Sequence, residues 1–156
     1  MNTIIVQIAD REWTMQSLHL ACAMARSAHS NIVLLQLMRV PSLFWLGTPL
    51  GEVALTREEV DALRDFMSVA EDYGVEAAVQ PMQYESLVDA LVQAAGEFGA
   101  SVVFARLPEH AFAFQRRLQM WSLRRQLQRQ HCRLYLVGED EKEDWRVPSI
   151  SVKAAK

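Results

Sequence analysis

The chain has 156 residues, of which 51% are apolar and 22% charged, with a formal net charge of −3. That length suits one domain with a single sizeable core, and the composition is that of an ordinary globular protein. The acidic balance disfavours nucleic acid or an anionic membrane as a partner, and the longest apolar runs, such as "NIVLLQLM", are too short to span a bilayer. In chain order, "TIIVQI" (3–8) predicts a buried strand and "ADREWT" a polar turn, with Thr14 as helix N-cap. Met15, Leu18, Ala21, Cys22, Ala25 and Ala28 then recur at helical spacing, and "NIVLLQL" (31–37) predicts a second buried strand.

Residues 41–55 form the longest irregular stretch, with two prolines and two glycines. Thr56 and Glu59 make a capping box that opens a second helix. Its apolar face is expected to hold Val60, Leu63, Met67 and Ala70, and it stops near Tyr73 and Gly74. A weaker strand follows at 75–81, and then a helix from Ser86 to Phe98 with Gly99 just past its end. "ASVVFAR" (100–106) predicts a fourth strand, Arg116 to Gln130 a fourth helix and "CRLYLV" (132–137) a fifth strand. Strands separated by helices of this length imply right-handed parallel crossovers. The expected architecture is therefore one doubly wound α/β sandwich over residues 1–138, with helices on both faces of the sheet. Residues 139–156 are expected to be a polar tail, partly disordered or packed on a dimer partner.

"TIIVQIADREWTMQSLHLACAMARSAHSNIVLLQLMRV" and "ASVVFARLP…WSLRRQLQRQHCRLYLVG" resemble the opening and closing segments of the universal stress protein family. Cys132 falls where many of its members have a cysteine. The resemblance implies a five-stranded parallel sheet in the order 3-2-1-4-5. It places any ATP at the carboxyl ends of strands one and four, the switch point of such sheets. Nucleotide-binding members have an aspartate closing strand one and a loop reading G-x2-G-x9-G-[ST], whose glycines let backbone amides approach phosphate. In that register Ala9 stands at the aspartate position and Asp10 one step late. Arg106 or Leu107 stands at the first glycine, Glu109 or His110 at the second, and Met120 and Trp121 at the third glycine and its hydroxyl neighbour. Side chains of this bulk are expected to fill the volume of a triphosphate. The resemblance thus implies a degenerate member that does not bind ATP.

No catalytic constellation is present in the sequence. His19, His29, His110 and His131 have no metal-ligand spacing, so no metal and no cofactor is expected. No GxSxG surrounds Ser17, Ser86 or Ser122. Asp10 and Glu12 are either paired carboxylates at the switch point or favour the positive end of the first helix. Seven arginines, from Arg106 to Arg133, crowd the last third of the chain. They form either an anion patch, with Arg106 and His110 at a surviving small-anion site, or a solvated flank. Phe44 and Trp45 either close a pocket or cap the core. Leu134, Tyr135, Leu136 and Val137 would form an uncharged edge strand, which invites pairing with a second copy, and the family resemblance implies a homodimer through that edge. Cys22 and Cys132 make no CxxC pair, and no leader opens the sequence, so a reducing cytoplasm is expected. The expectation for function is a non-catalytic stress-response or regulatory protein acting as a homodimer, with possible protein partners. The alternative is a nucleotide or small-anion switch that uses arginines in place of the glycine loop, with slow ATP hydrolysis.

Overall fold

The computed structural model describes residues 2–39, 55–108 and 112–138. The expectations for Phe44, Trp45, His110 and the tail 139–156 lie outside them. Five strands and four helices alternate: β1 (Thr3–Gln7), α1 (Arg11–Ala28), β2 (Asn31–Arg39), α2 (Arg57–Tyr73), β3 (Ala77–Tyr84), α3 (Leu87–Glu97), β4 (Ala100–Phe104), α4 (Ala113–Arg129) and β5 (Arg133–Tyr135). All strand pairings are parallel and the order is β3-β2-β1-β4-β5, as expected.

Strand side chains alternate between the faces, so each strand feeds two cores. Ile4, Val6, Ile32, Leu34, Val102 and Phe104 pack against α1 and α2 through Leu18, Cys22, Phe66 and Ala70. Ile5, Leu35, Val103 and Ala105 point the other way, onto Leu91, Ala94, Leu123 and Leu127 of α3 and α4. β1 lies in the middle with Ile4, Ile5 and Val6 buried, which explains why its sequence is an unbroken β-branched run.

Several boundaries differ from the sequence reading, each for a local reason. α1 begins at Arg11 because Asp10, not Thr14, is its N-cap: the Asp10 carboxylate accepts from the Trp13 N–H at 2.9 Å. Thr14 is buried inside the helix, where its hydroxyl accepts from the Ala9 N–H at 2.9 Å. The α2 capping box is present, with Thr56 and Glu59 satisfying each other's backbone N–H, and Gly74 closes the helix in the left-handed conformation. The inward face of α2 is rotated from the expected one. Phe66 is 1% exposed while Val60 is 39% exposed, so the helix buries Leu63, Phe66, Met67 and Ala70 at i, i+3, i+4 and i+7. β3 runs on to Tyr84 through Pro81, which a strand at the sheet's margin tolerates. α4 starts at Ala113, earlier than expected, and β5 has only three residues, with Leu136 just beyond it buried in the same core as Leu134.

Phe66→Ala is expected to destabilise the fold by about 3–5 kcal/mol, and Val60→Ala to change it by under about 0.5 kcal/mol. Urea unfolding of the two variants checks this, and similar losses would mean the helix face has been assigned wrongly.

Cys22 and Cys132 are both buried, and desolvation pushes each thiol up from 9.0 to about 11. The unfolded chain therefore loses its thiol protons first. The stability contributed by these neutral thiols is complete below pH 9 and falls as pH rises towards 11. At pH 8 a disulfide reagent should modify neither thiol in the folded protein and both in denaturant. Prompt modification of the native chain would contradict the burial.

Candidate functional site: the crevice between the first and fourth strands

β1 and β4 are neighbours in the sheet, but their following helices cover opposite faces. The chain therefore parts at their carboxyl ends and leaves a crevice, the usual ligand position in an open α/β sheet. Side-chain contacts stitch this crevice together. Gln7, 8% exposed at the end of the central strand, accepts the Arg106 N–H on its Oε1 at 3.0 Å. The Arg106 guanidinium is ion-paired with Asp10, whose other oxygen caps α1. Asp10 thus serves the positive helix end and Arg106 together, and this accounts for it without a second catalytic carboxylate. The pair is half exposed, so it adds under about 1 kcal/mol. A further tie closes the same end of the sheet: the Trp13 indole N–H donates to the Val137 carbonyl at 2.8 Å.

The β4–α4 crossover contains no glycine between Phe104 and Ala113. Leu107 is fully buried in the core beneath α3 and α4. α4 opens at Phe112 with no side-chain cap. Of the sequence-predicted residues, Ala9, Asp10, Arg106 and Leu107 gather at the crevice. Met120 packs against the α3/α4 core. Trp121 is 59% exposed and lies under the Arg125 guanidinium, 5.1 Å from its ring centroid, so it does not fill the cleft. Family register placed Trp121 at the site, but its position on the helix turns it outward. Arg124, Arg125 and Arg129 are also exposed.

The crevice is not packed solid. Toward β2 and β3 it opens into a hollow of about 590 Å³, whose lining includes Gln7, Arg39, Tyr84, Leu87, Arg106 and Leu107. The Gln7 side-chain N–H2 has no hydrogen-bond partner among the described residues, nor does Arg39 have an ion-pair partner there. Sequence reasoning missed both. The available signal was a lone amide in an otherwise apolar central strand. No group of three or more His, Cys, Asp or Glu residues suited to a metal occurs among the described residues. No helix among them is long and apolar enough to cross a membrane.

No family model matches the chain, and no curated protein matches it in sequence. Solved structures do match. A universal stress protein family member from Burkholderia pseudomallei superposes with a TM-score of 0.59 at 19% identity, over 87% of this chain and 95% of its own. A universal stress protein in complex with cAMP gives 0.60 at 17% identity, over 87% and 96%. The universal stress protein from Archaeoglobus fulgidus in complex with dAMP gives 0.56 at 14% identity, over 87% and 97%. The fold is that of the universal stress proteins. Within the universal stress protein fold, this chain's switch point is occupied by a salt bridge, a buried leucine and an amide from the central strand.

Asp10→Ala is expected to lower stability by about 1–2 kcal/mol, because the cap is lost with the ion pair. Arg106→Ala should cost under about 1 kcal/mol. Denaturant midpoints check the order, and an equal loss in both would place the energy in the ion pair and not the cap.

Proposed function

We propose that the protein is a non-catalytic regulatory or stress-response protein of the universal stress type, which does not bind ATP at the switch point and acts through protein contacts. The observation that carries this reading is the seating of the β4–α4 crossover. Leu107 belongs to the core, and the Arg106 backbone N–H and guanidinium are already engaged by Gln7 and Asp10. A polyphosphate that displaced these contacts would leave the buried Gln7 carbonyl unpaired and a hydrophobic side chain in water. Isothermal titration with ATP on protein freed of co-purifying ligands should give no heat of binding in the micromolar range, and a micromolar complex would overturn the reading.

A second reading is favoured by the hollow beside the crevice. The unpartnered N–H2 of Gln7, with Arg39 and Arg106, offers donors to a nucleotide or a small anion. It is the reading under which the cAMP and dAMP complexes of the structural neighbours bear on this chain. It requires that cAMP raise the melting temperature and that Arg106→Ala weaken binding by about 1–3 kcal/mol. An unchanged melting temperature with saturating cAMP and ATP rejects it.

The proposed homodimer uses the open side of β5. Leu134 and Leu136 anchor the strand in one core, and Tyr135 stacks on Phe104 at 5.3 Å between centroids on the other face. The strand is short and Arg133 on it is exposed, so paired edges would need side-chain packing beyond the three-residue ladder. In sedimentation, Tyr135→Lys should weaken the dimer by about tenfold or more, since it removes an edge aromatic and sets like charges near the twofold axis. A wild-type chain that sediments as a monomer at all concentrations disposes of the dimer.

A further inference from the structure

α4 is apolar on two opposite sides. Leu123 and Leu127, both fully buried, hold it to the sheet. Phe114, Leu118 and Trp121 face away and are 73%, 50% and 59% exposed. At 3.6 residues per turn, Phe114, Leu118, Trp121 and Arg125 fall within about 60° of one another, roughly opposite Leu123. Among the described residues nothing covers that outer ridge, and the inner stripe already secures the helix.

The spacing of the ridge suggests what would cover it. Steps of four, three and four residues are those of a helix seam, with Phe114 and Trp121 at one class of seam position and Leu118 and Arg125 at the other. Arg117 and Arg124 each precede a seam residue by one, the position from which a coiled-coil helix pairs with charges on its neighbour. The helix contains five arginines and no acidic residue, in a chain whose net charge is −3. Arg124, Arg125 and Arg129 are exposed and make no ion pair among the described residues.

We infer that the outer face of α4 is a docking surface for an acidic amphipathic helix of another protein. The partner's apolar seam would lie along Phe114, Leu118 and Trp121, with carboxylates flanking it to meet Arg124 and Arg125. A second copy of α4 is a poor occupant, since it would set arginine rows against one another. An anionic bilayer or a single-stranded nucleic acid would also match the arginines and aromatics, but neither calls for the four-three-four seam spacing of the ridge, and both are outcomes of the test. The inference extends the partner-binding reading above. Its test uses neither ATP nor cAMP and reads the outer face of α4, so its failure leaves the reading of the crevice untouched.

The probe is a four-heptad peptide with Leu at both seam positions and Glu at all flanking positions, which repels itself and seeks a basic helix. Its counterpart has Lys for every Glu. Titrated into the full chain at low salt, the acidic peptide is expected to bind at least about tenfold more tightly than the basic one, and to weaken markedly at about 0.5 M salt. Trp121→Ala and Arg124→Glu, both on the surface, should each weaken it by about tenfold or more while leaving the melting temperature unchanged. The proposal is overturned if neither peptide binds, if both bind equally, or if the two variants bind like the wild type. It is also overturned if phosphatidylserine vesicles or a dT oligonucleotide bind more tightly than the acidic peptide, or if Trp121→Ala abolishes self-association of the chain.

Discussion

A central strand in a parallel sheet has no free face, and the rest of this molecule is arranged around that constraint. β1 is paired on both edges and covered above and below, so its residues must be apolar until the chain leaves the sheet. Gln7 is the last paired residue of that strand, and its side-chain carbonyl receives the Arg106 N–H where the neighbouring strand's crossover begins. The amide thus ties the two strand ends together where their ladder stops, and it does so in surroundings where an unpaired polar atom is costly.

From that contact the character of the crevice follows. Arg106 is aligned by its own backbone to reach Asp10, Asp10 is held by the first turn of α1, and the next residue, Leu107, drops into the α3/α4 core. In the glycine-loop design named by the family resemblance, bare backbone at this point leaves amides free for phosphate. Here the same point is a junction between two cores, and the hollow that Gln7 and Arg106 line lies to the side, over the ends of β2 and β3.

Much of the fold was legible because it depends on patterns confined to a few residues. The α2 cap is an example, since Thr56 and Glu59 satisfy each other regardless of what surrounds them. The alternation of elements pointed to a doubly wound sandwich, the strand order was implied by the family resemblance alone, and the structure agrees with both. The misreadings arose where two residues of one chemical type competed. Asp10 and Thr14 are both capping residues, and the choice between them depends on Thr14 being needed inside to bind Ala9. Val60 and Phe66 both continue an apolar helix pattern, and only the sheet beneath decides which one is buried. Trp121 was assigned by register to a pocket, yet a helix position is set by rotation about its axis as well as by distance along the chain. Gln7 was hidden by its apolar neighbours, because a single amide does not interrupt the reading of a buried strand.

The strand order also has a consequence for synthesis. Of the five strands, the one made earliest is the one in the middle, and its partner on one side, beginning at Ala100, is made only after β2, α2, β3 and α3. Until then β1 has an unprotected side, with Ile4, Ile5 and Val6 incompletely covered. A nascent chain stalled in α3 would display that edge to any passing strand, and it is the arrival of β4 that closes it.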